Sequence, residues 1–134
     1  MNIEVAVLCD AATDSHGKLN ILGVFNTIFA RQFPVIHPHC AVALRVNFQK
    51  AEEGAHAIKA EFVNADGQPI MPTCRIAAEV KVPDDLASIS CNFIVNIQGL
   101  KLNQPGDYSV DIFVDDAEAT SIPLLAKQVS APPV

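Results

Sequence analysis

Acidic side chains gather in the polar stretches that separate the apolar segments of this chain. Aspartate and glutamate make up 15 of its 134 residues, and nine of them fall near 10–17, 49–54, 83–87 and 115–118. In an antiparallel fold these four stretches would lie at the same end, because successive connections alternate between the two ends of a sheet. They would form an acidic pole with these candidate cation ligands: Asp10, Asp14, Asp84, Asp85, Asp115 and Asp116.

Three interpretations of the acidic pole remain open. Ca²⁺ binds roughly six to eight oxygen ligands, and loops at one end of a β-domain can supply them. A basic protein partner would also complement this charge. Alternatively, Asp and Glu simply favour turns and solubility, and the chain contains no EF-hand spacing. We therefore predict no cofactor, with Ca²⁺ as the alternative.

Signatures of other chemistries are sparse. Histidine and cysteine form one compact run, His37-Pro38-His39-Cys40, which alone offers too few ligands for a tetrahedral metal site. The sequence has no Cys-x-x-Cys pair, no Gly-x-Ser-x-Gly elbow and no glycine-rich phosphate loop. Cys9 and Cys91 lie in apolar stretches and are expected to point inward and to be unreactive. No catalytic residue is predicted, and a non-enzymatic protein is favoured.

Composition restricts the partners. Half of the residues are apolar and 18% are charged, against about a quarter charged in typical domains, so more apolar area than usual should reach the surface. The net charge of −6 and the scattered basic residues argue against nucleic acid. No secretory signal or membrane-spanning segment is recognisable, so we expect no membrane association and a cytoplasmic location.

Alternation of apolar and polar residues predicts strands throughout the chain and no helix. The clearest strand is 40–48, whose even-numbered side chains are apolar while the opposite face should be wet. An opening strand, a polar loop at 10–17 and a returning strand predict a hairpin, in which Gly23 marks a bulge or a close backbone approach. We predict an all-β fold, a two-sheet antiparallel β-sandwich of about eight strands, immunoglobulin-like or C2-like. It forms one domain over 1–128, followed by a flexible tail at 129–134.

Two local features test this prediction. Tyr108 follows a Pro-Gly turn at the start of a late strand, where a β-sandwich places a tyrosine corner whose hydroxyl bonds upstream backbone. An ordinary half-buried aromatic residue is the alternative. In the last two strands the inward residues are even-numbered, which predicts an odd-length connection centred near Ala117 instead of a two-residue turn.

Four apolar residues are predicted to point outward from their strands. If those strands are neighbours, their side chains would form one interface patch: Val63, Ile94, Phe113 and Leu125. The leading interpretation is therefore a non-enzymatic protein-binding or assembly module that forms a homo-oligomer through an apolar sheet face or edge. The alternative is a domain that binds a cation or small ligand at the acidic pole.

Four short motifs run through the chain: Val7-Leu8-Cys9-Asp10-Ala11, Leu22-Gly23-Val24-Phe25, Phe33-Pro34 and Pro105-Gly106-Asp107-Tyr108. On these motifs the chain resembles a family of small bacterial proteins known only as a domain of unknown function. The resemblance covers nearly the whole chain. It implies a compact β domain that stands alone, and it implies no activity and no catalytic residue.

Overall fold

Nine β-strands make up most of the chain. A computed structural model describes residues 1–130, and within that range the only helical segment is a 3₁₀ turn at Lys50–Glu52. The strands are β1 (Asn2–Ser15), β2 (Lys18–Phe25), β3 (Thr27–Ala30), β4 (Val35–Gln49), β5 (Gly54–Val63), β6 (Cys74–Val80), β7 (Ser88–Leu102), β8 (Gly106–Val114) and β9 (Ala117–Gln128).

The strands form two sheets. A four-stranded sheet has the order β2-β1-β4-β7, and a five-stranded sheet has the order β3-β9-β8-β5-β6. The all-β prediction is confirmed, with nine strands instead of about eight. One contact departs from the predicted antiparallel arrangement, because β3 runs parallel to β9. Only Asn26 separates β2 from β3, so the chain enters the second sheet without room to reverse its direction.

Both sheets contribute side chains to one hydrophobic cluster. Val42, Leu44 and Val46 of β4 are fully buried in it, together with Ile58 of β5 and Ile112 of β8. These residues occupy every second position of their strands, so the periodicity of two correctly indicated which face of each strand points into this cluster. The burial of this shared cluster is the main source of stability, since apolar area removed from water is worth roughly 25 cal/mol per Å².

The β1–β2 hairpin folds back over the outer face of the four-stranded sheet. β1 pairs with β4 only along Asn2–Cys9, and its remaining residues pair with β2 alone. The hairpin tip then returns to β4 and β7. There Arg45 donates a hydrogen bond of 3.0 Å to the Gly17 carbonyl, and the Asn92 amide donates one of 3.0 Å to Asp14.

The folded-back hairpin creates a second hydrophobic cluster on this outer face. Cys9, Ala41 and Ala43 have no exposed surface, although Ala41 and Ala43 were predicted to lie on a wet face. That prediction was wrong because the hairpin covers them. Partly buried neighbours complete the cluster: Val7, Ala12, Leu19, Ile21 and Ile94. Cys9 is buried as predicted, but in this cluster and not in the main core.

Gly23 lies where β1 leaves β4. Its φ is +70°, and a Cβ atom at this position would lie 2.3 Å from Oδ2 of Asp10 on the facing strand. The close approach at Gly23 is therefore made by the side chain of Asp10. The predicted loop at 10–17 is wrong, because β1 continues to Ser15 and only His16 and Gly17 form the turn.

The β8–β9 connection differs from its prediction. It is a two-residue turn of Asp115 and Asp116, whose φ angles are 52° and 66°, in the left-handed region that short hairpins use. A register shift next to Ile112 places Thr120 opposite it. This bulge keeps the even-numbered residues on the inner face, so an odd-length loop is not needed.

Two further predictions concern the C-terminal part of the chain. The Tyr108 hydroxyl donates a hydrogen bond of 2.7 Å to the carbonyl of Gln104, which confirms the tyrosine corner. The predicted tail at 129–134 falls largely on residues 131–134, outside the described part of the chain. Within the described part, the Val129 amide donates to the Ala30 carbonyl at 3.0 Å.

Candidate functional site

The structure places the six aspartates that were predicted to share an acidic pole on three elements, the β1–β2 hairpin and the turns after β6 and β8. Asp10 and Asp14 lie on the hairpin, where Asp14 accepts bonds from the hairpin tip and from Asn92. The other four lie in the turns that follow β6 and β8: Asp84, Asp85, Asp115 and Asp116. Residues 10–15 are strand and not loop, so Asp10 and Asp14 lie on β1. Within residues 1–130 no group of three or more His, Cys, Asp or Glu side chains could hold a metal ion.

Positively charged groups of the chain form ion pairs with the acidic residues around the 3₁₀ turn. The Lys50 ammonium lies 3.3 Å from Glu53 and 3.2 Å from Asp84, and it donates to the Val82 carbonyl at 2.7 Å. The amino group of Met1 lies 2.8 Å from Glu52. These contacts neutralise part of the acidic charge and tie the 3₁₀ turn to the connection between β6 and β7.

His56 on β5 has a polar partner at each of its two ring nitrogens. Its Nδ1 lies 2.5 Å from Oδ2 of Asp115, and its Nε2 lies 2.5 Å from the backbone oxygen of Glu52. The ring packs on Phe48 with 4.7 Å between ring centroids. Asp115 also accepts a bond of 2.9 Å from the Ala57 amide. Sequence reasoning missed this cluster, because only the fold brings these residues together.

The surroundings of His56 determine its charge. Both of its partners are acceptors, so both ring nitrogens donate only when the ring is an imidazolium. The bond to the Glu52 carbonyl and the bond to Asp115 raise the pKa of His56. The bonds from Ala57 and His56 lower the pKa of Asp115. With Nε2 occupied, this His–Asp pair has no free nitrogen to act as a general base, so it works as a clamp between the 3₁₀ turn and the β8–β9 turn.

The remaining histidines and the cysteines do not form a reactive centre. His37 packs against Phe25 with 5.5 Å between ring centroids, and His39 meets the amide of Gln98 at 3.2 Å. All four cysteines are free, and burial raises the pKa of each thiol, that of Cys40 to about 11. A raised pKa keeps a cysteine protonated and a poor nucleophile.

The four predicted interface residues do not form one patch. Ile94 lies on β7 of the four-stranded sheet, whereas the other three belong to the five-stranded sheet. Val63 is only 6% exposed, so it offers little surface to a partner. It pairs with Ser109 on one side and bridges to Pro69 of the following loop on the other. Phe113 lies beneath the Lys59 ammonium at 4.3 Å, and Leu125 is 40% exposed.

The edges of the four-stranded sheet are the most distinctive surface. β2 and β7 are its outer strands, and the sequence contains neither a charged residue nor a proline from Leu19 to Ala30 or from Ser88 to Leu100. On β2, Leu22 is 70% and Val24 61% exposed. The uncharged runs are visible in the sequence, but their position at sheet edges requires the fold.

Comparison with known proteins identifies a family to which the chain is similar. The model of a family described as a family of unknown function (DUF6941) matches residues 4–127. No curated protein matches the chain. Across the described residues, no helix has the length and apolar character that a membrane crossing requires.

Proposed function

The chain belongs to this family of unknown function (DUF6941), and from its own surfaces we propose that it is a non-enzymatic assembly module that forms homo-oligomers. One observation carries the proposal. Both outer strands of the four-stranded sheet, β2 and β7, lack charged residues and prolines over most of their length. A sheet edge of this kind offers unpaired backbone groups to another chain.

Natural proteins normally protect such edges. Lysine, inward-pointing charges, proline or a very short strand prevents an edge from pairing with another molecule. The five-stranded sheet follows this rule, since β3 has four residues and β6 carries Arg75 and Glu79. The four-stranded sheet does not follow it. The contrast within one molecule favours a partner that covers an edge of the four-stranded sheet.

The proposal includes the architecture and the compartment. We propose that the two sheets stack as a β-sandwich of immunoglobulin-like or C2-like kind, supported by the single cluster that contains side chains of both. We place the module in the cytoplasm. Its four free cysteines suit a reducing compartment, where thiols stay reduced.

Light scattering coupled to size-exclusion chromatography tests the assembly. The chain has a mass of 14.4 kDa, and we expect a species of at least twice this mass that dissociates on dilution. A single 14.4 kDa species at every concentration, up to the highest that can be loaded, would overturn the proposal.

A further inference from the structure

We propose that a second copy of the chain pairs with the free edge of β7, antiparallel to it, with a two-fold axis through Ile94. This inference rests on the proposed assembly and names its interface and register. The pairing would join two four-stranded sheets into one continuous sheet of eight strands. A two-fold interface of this kind uses the same surface on both copies and closes the assembly as a dimer.

β7 is the longest edge strand. It has 15 residues and pairs with β4 from Ser88 to Leu102, and within residues 1–130 no strand pairs with its other side. β2 has eight residues and is interrupted by Gly23, whose φ of +70° disturbs regular pairing. Residues 88–98 of β7 contain no glycine or proline, so the nine residues 90–98, which are centred on Ile94, can pair with the same residues of a second copy.

Side chains along β7 are left partly exposed in the single chain. Ile94 on the outer face is half-buried, and so are Ile89, Cys91 and Val95, which pack against the main core. The facing residues of β4, by contrast, are mostly fully buried. A partner strand at the β7 edge would remove this remaining apolar surface from water, which favours association.

The polarity of β7 is symmetric about Ile94. On the outer face Ser90 and Asn92 precede it and Asn96 and Gln98 follow it. Antiparallel pairing centred on Ile94 places Ile94 opposite Ile94 of the second copy and Asn92 opposite Asn96 of the second copy. Ser90 then meets Gln98 of the second copy. On the inner face the pairs are apolar, Phe93 with Val95 and Cys91 with Ile97.

Neighbouring registers lack this match. Residues directly opposite each other must share a face of the sheet, so the axis has to pass through a residue. An axis through Phe93 or Val95 would set Ile94 against an asparagine, and an axis through Asn92 or Asn96 would set it against Ser90 or Gln98. Only the axis through Ile94 pairs polar with polar and apolar with apolar.

The asparagine pairs are chemically possible in the folded chain. The Asn92 side-chain oxygen accepts one bond, of 2.8 Å, from Arg45, and a carbonyl oxygen can accept a second. Asn96 is exposed, so its side-chain amide in the second copy can donate this second bond. No charged residue lies between Ser88 and Leu100, so all the directly opposite residues of the two copies are uncharged.

Disulfide formation tests the register. Directly opposite residues in an antiparallel pair have Cβ atoms about 4.5–5.5 Å apart, close to the separation of a disulfide. The variant Ile94→Cys should therefore form a covalent dimer on mild oxidation. Asn96→Cys is the matched control, because its two copies would lie about 13 Å apart along the strands although Asn96 is the more exposed position.

Charge provides a second measurement. Ile94→Lys would place two ammonium groups opposite each other, and we expect dimer dissociation to become roughly ten-fold easier or more. Leu125→Lys is its control, since it adds the same charge at an exposed apolar residue of the other sheet. Both variants are measured by light scattering on dilution, with circular dichroism to verify folding.

The outcomes separate the two proposals. Selective cross-linking of Ile94→Cys, with weakening by Ile94→Lys alone, supports the β7 register. A wild-type dimer in which Ile94→Cys cross-links no faster than Asn96→Cys overturns the register and leaves the proposed assembly standing, as does equal weakening by both lysine variants. A wild-type monomer overturns both.

Discussion

At the scale of single residues, His56 links protonation to stability. The charged ring donates to Asp115 and to the Glu52 backbone oxygen while it packs on Phe48. The carboxylate of Glu52, paired with the Met1 amino group, also faces this cluster. A neutral imidazole has one donor, so deprotonation would turn a lone pair toward one of the two acceptors.

We predict that His56→Phe destabilises the fold in a pH-dependent way. The pKa of His56 is raised in the folded state, so its contribution is complete below the unfolded pKa of about 6.5 and is lost as the pH rises through the folded value. The pKa of Asp115 is lowered, so its contribution is lost as the pH falls through that value. Denaturant unfolding should therefore show the largest loss, about 1–2 kcal/mol, between about pH 4 and 6.5.

Asp115→Asn provides the control for the cause of this effect. NMR titration should give a lower His56 pKa in the variant than in the wild type, because the carboxylate that favours the imidazolium is gone. If the difference in stability between the wild type and His56→Phe stays constant from pH 5 to pH 9, the charged hydrogen bonds do not provide the stability.

At the scale of elements, the folded-back hairpin depends on Gly23. A side chain there is strained because φ is +70°, at a cost of about 1–2 kcal/mol for a left-handed residue. Its Cβ atom would also displace Asp10, adding about 0.5–1.5 kcal/mol for a side chain forced from its rotamer. We predict that Gly23→Ala lowers the free energy of unfolding by the sum of these costs and accelerates hydrogen exchange in β2.

Gly67→Ala is the matched control for this prediction. Gly67 has a φ of +78°, but nothing lies within 4 Å of its Cβ position, so only the backbone cost applies. Adding Asp10→Ala to Gly23→Ala should remove the excess over Gly67→Ala. If Gly23→Ala costs no more than Gly67→Ala and leaves exchange in β2 unchanged, the contact with Asp10 does not hold the hairpin.

The elements also show where sequence reasoning stops. Alternation correctly indicated the buried residues of β4, and the turn before Tyr108 correctly indicated its hydrogen bond to upstream backbone. Alternation describes a strand against its sheet, however, and cannot reveal that a hairpin folds over the outer face and buries Ala41 and Ala43. Likewise the bulge next to Ile112 leaves no composition signal, so the two-residue turn was missed.

At the scale of the whole molecule, local patterns again do not reveal long-range arrangement, and this explains why the candidate sites differ from their predictions. Sorting acids by alternating connections assumed that each polar stretch is a loop. Because β1 continues to Ser15 as a strand, Asp10 and Asp14 lie on the hairpin and not in a loop, whereas Asp84 and Asp115 lie in turns. The edge position of β7 depends on strand order, a long-range property that pairing with β4 determines. The sequence nevertheless singled out Ile94 as an unusual outward apolar residue.

Net charge gives the last prediction, which concerns how the proposed assembly responds to salt. Each copy carries −6 at pH 7, whereas the proposed β7 interface contains no charged residue between Ser88 and Leu100. Two copies therefore repel each other at long range, and salt screens this repulsion within about 10 Å at 0.1 M without breaking an interface ion pair. We expect the dimer dissociation constant, measured by sedimentation equilibrium, to fall several-fold when NaCl is raised from about 20 to 300 mM.

A charge variant distinguishes screening from a general effect of salt on apolar association. Asp85→Asn with Asp116→Asn removes two of the six net negative charges at exposed turn residues outside β7. The double variant should dimerise more tightly than the wild type at low salt and depend less on NaCl, because less repulsion remains to be screened. An interface built on attraction between unlike charges would behave in the opposite way. Weaker dimerisation at high salt would thus contradict an uncharged β7 interface and point back to the charged end around Lys50 and His56.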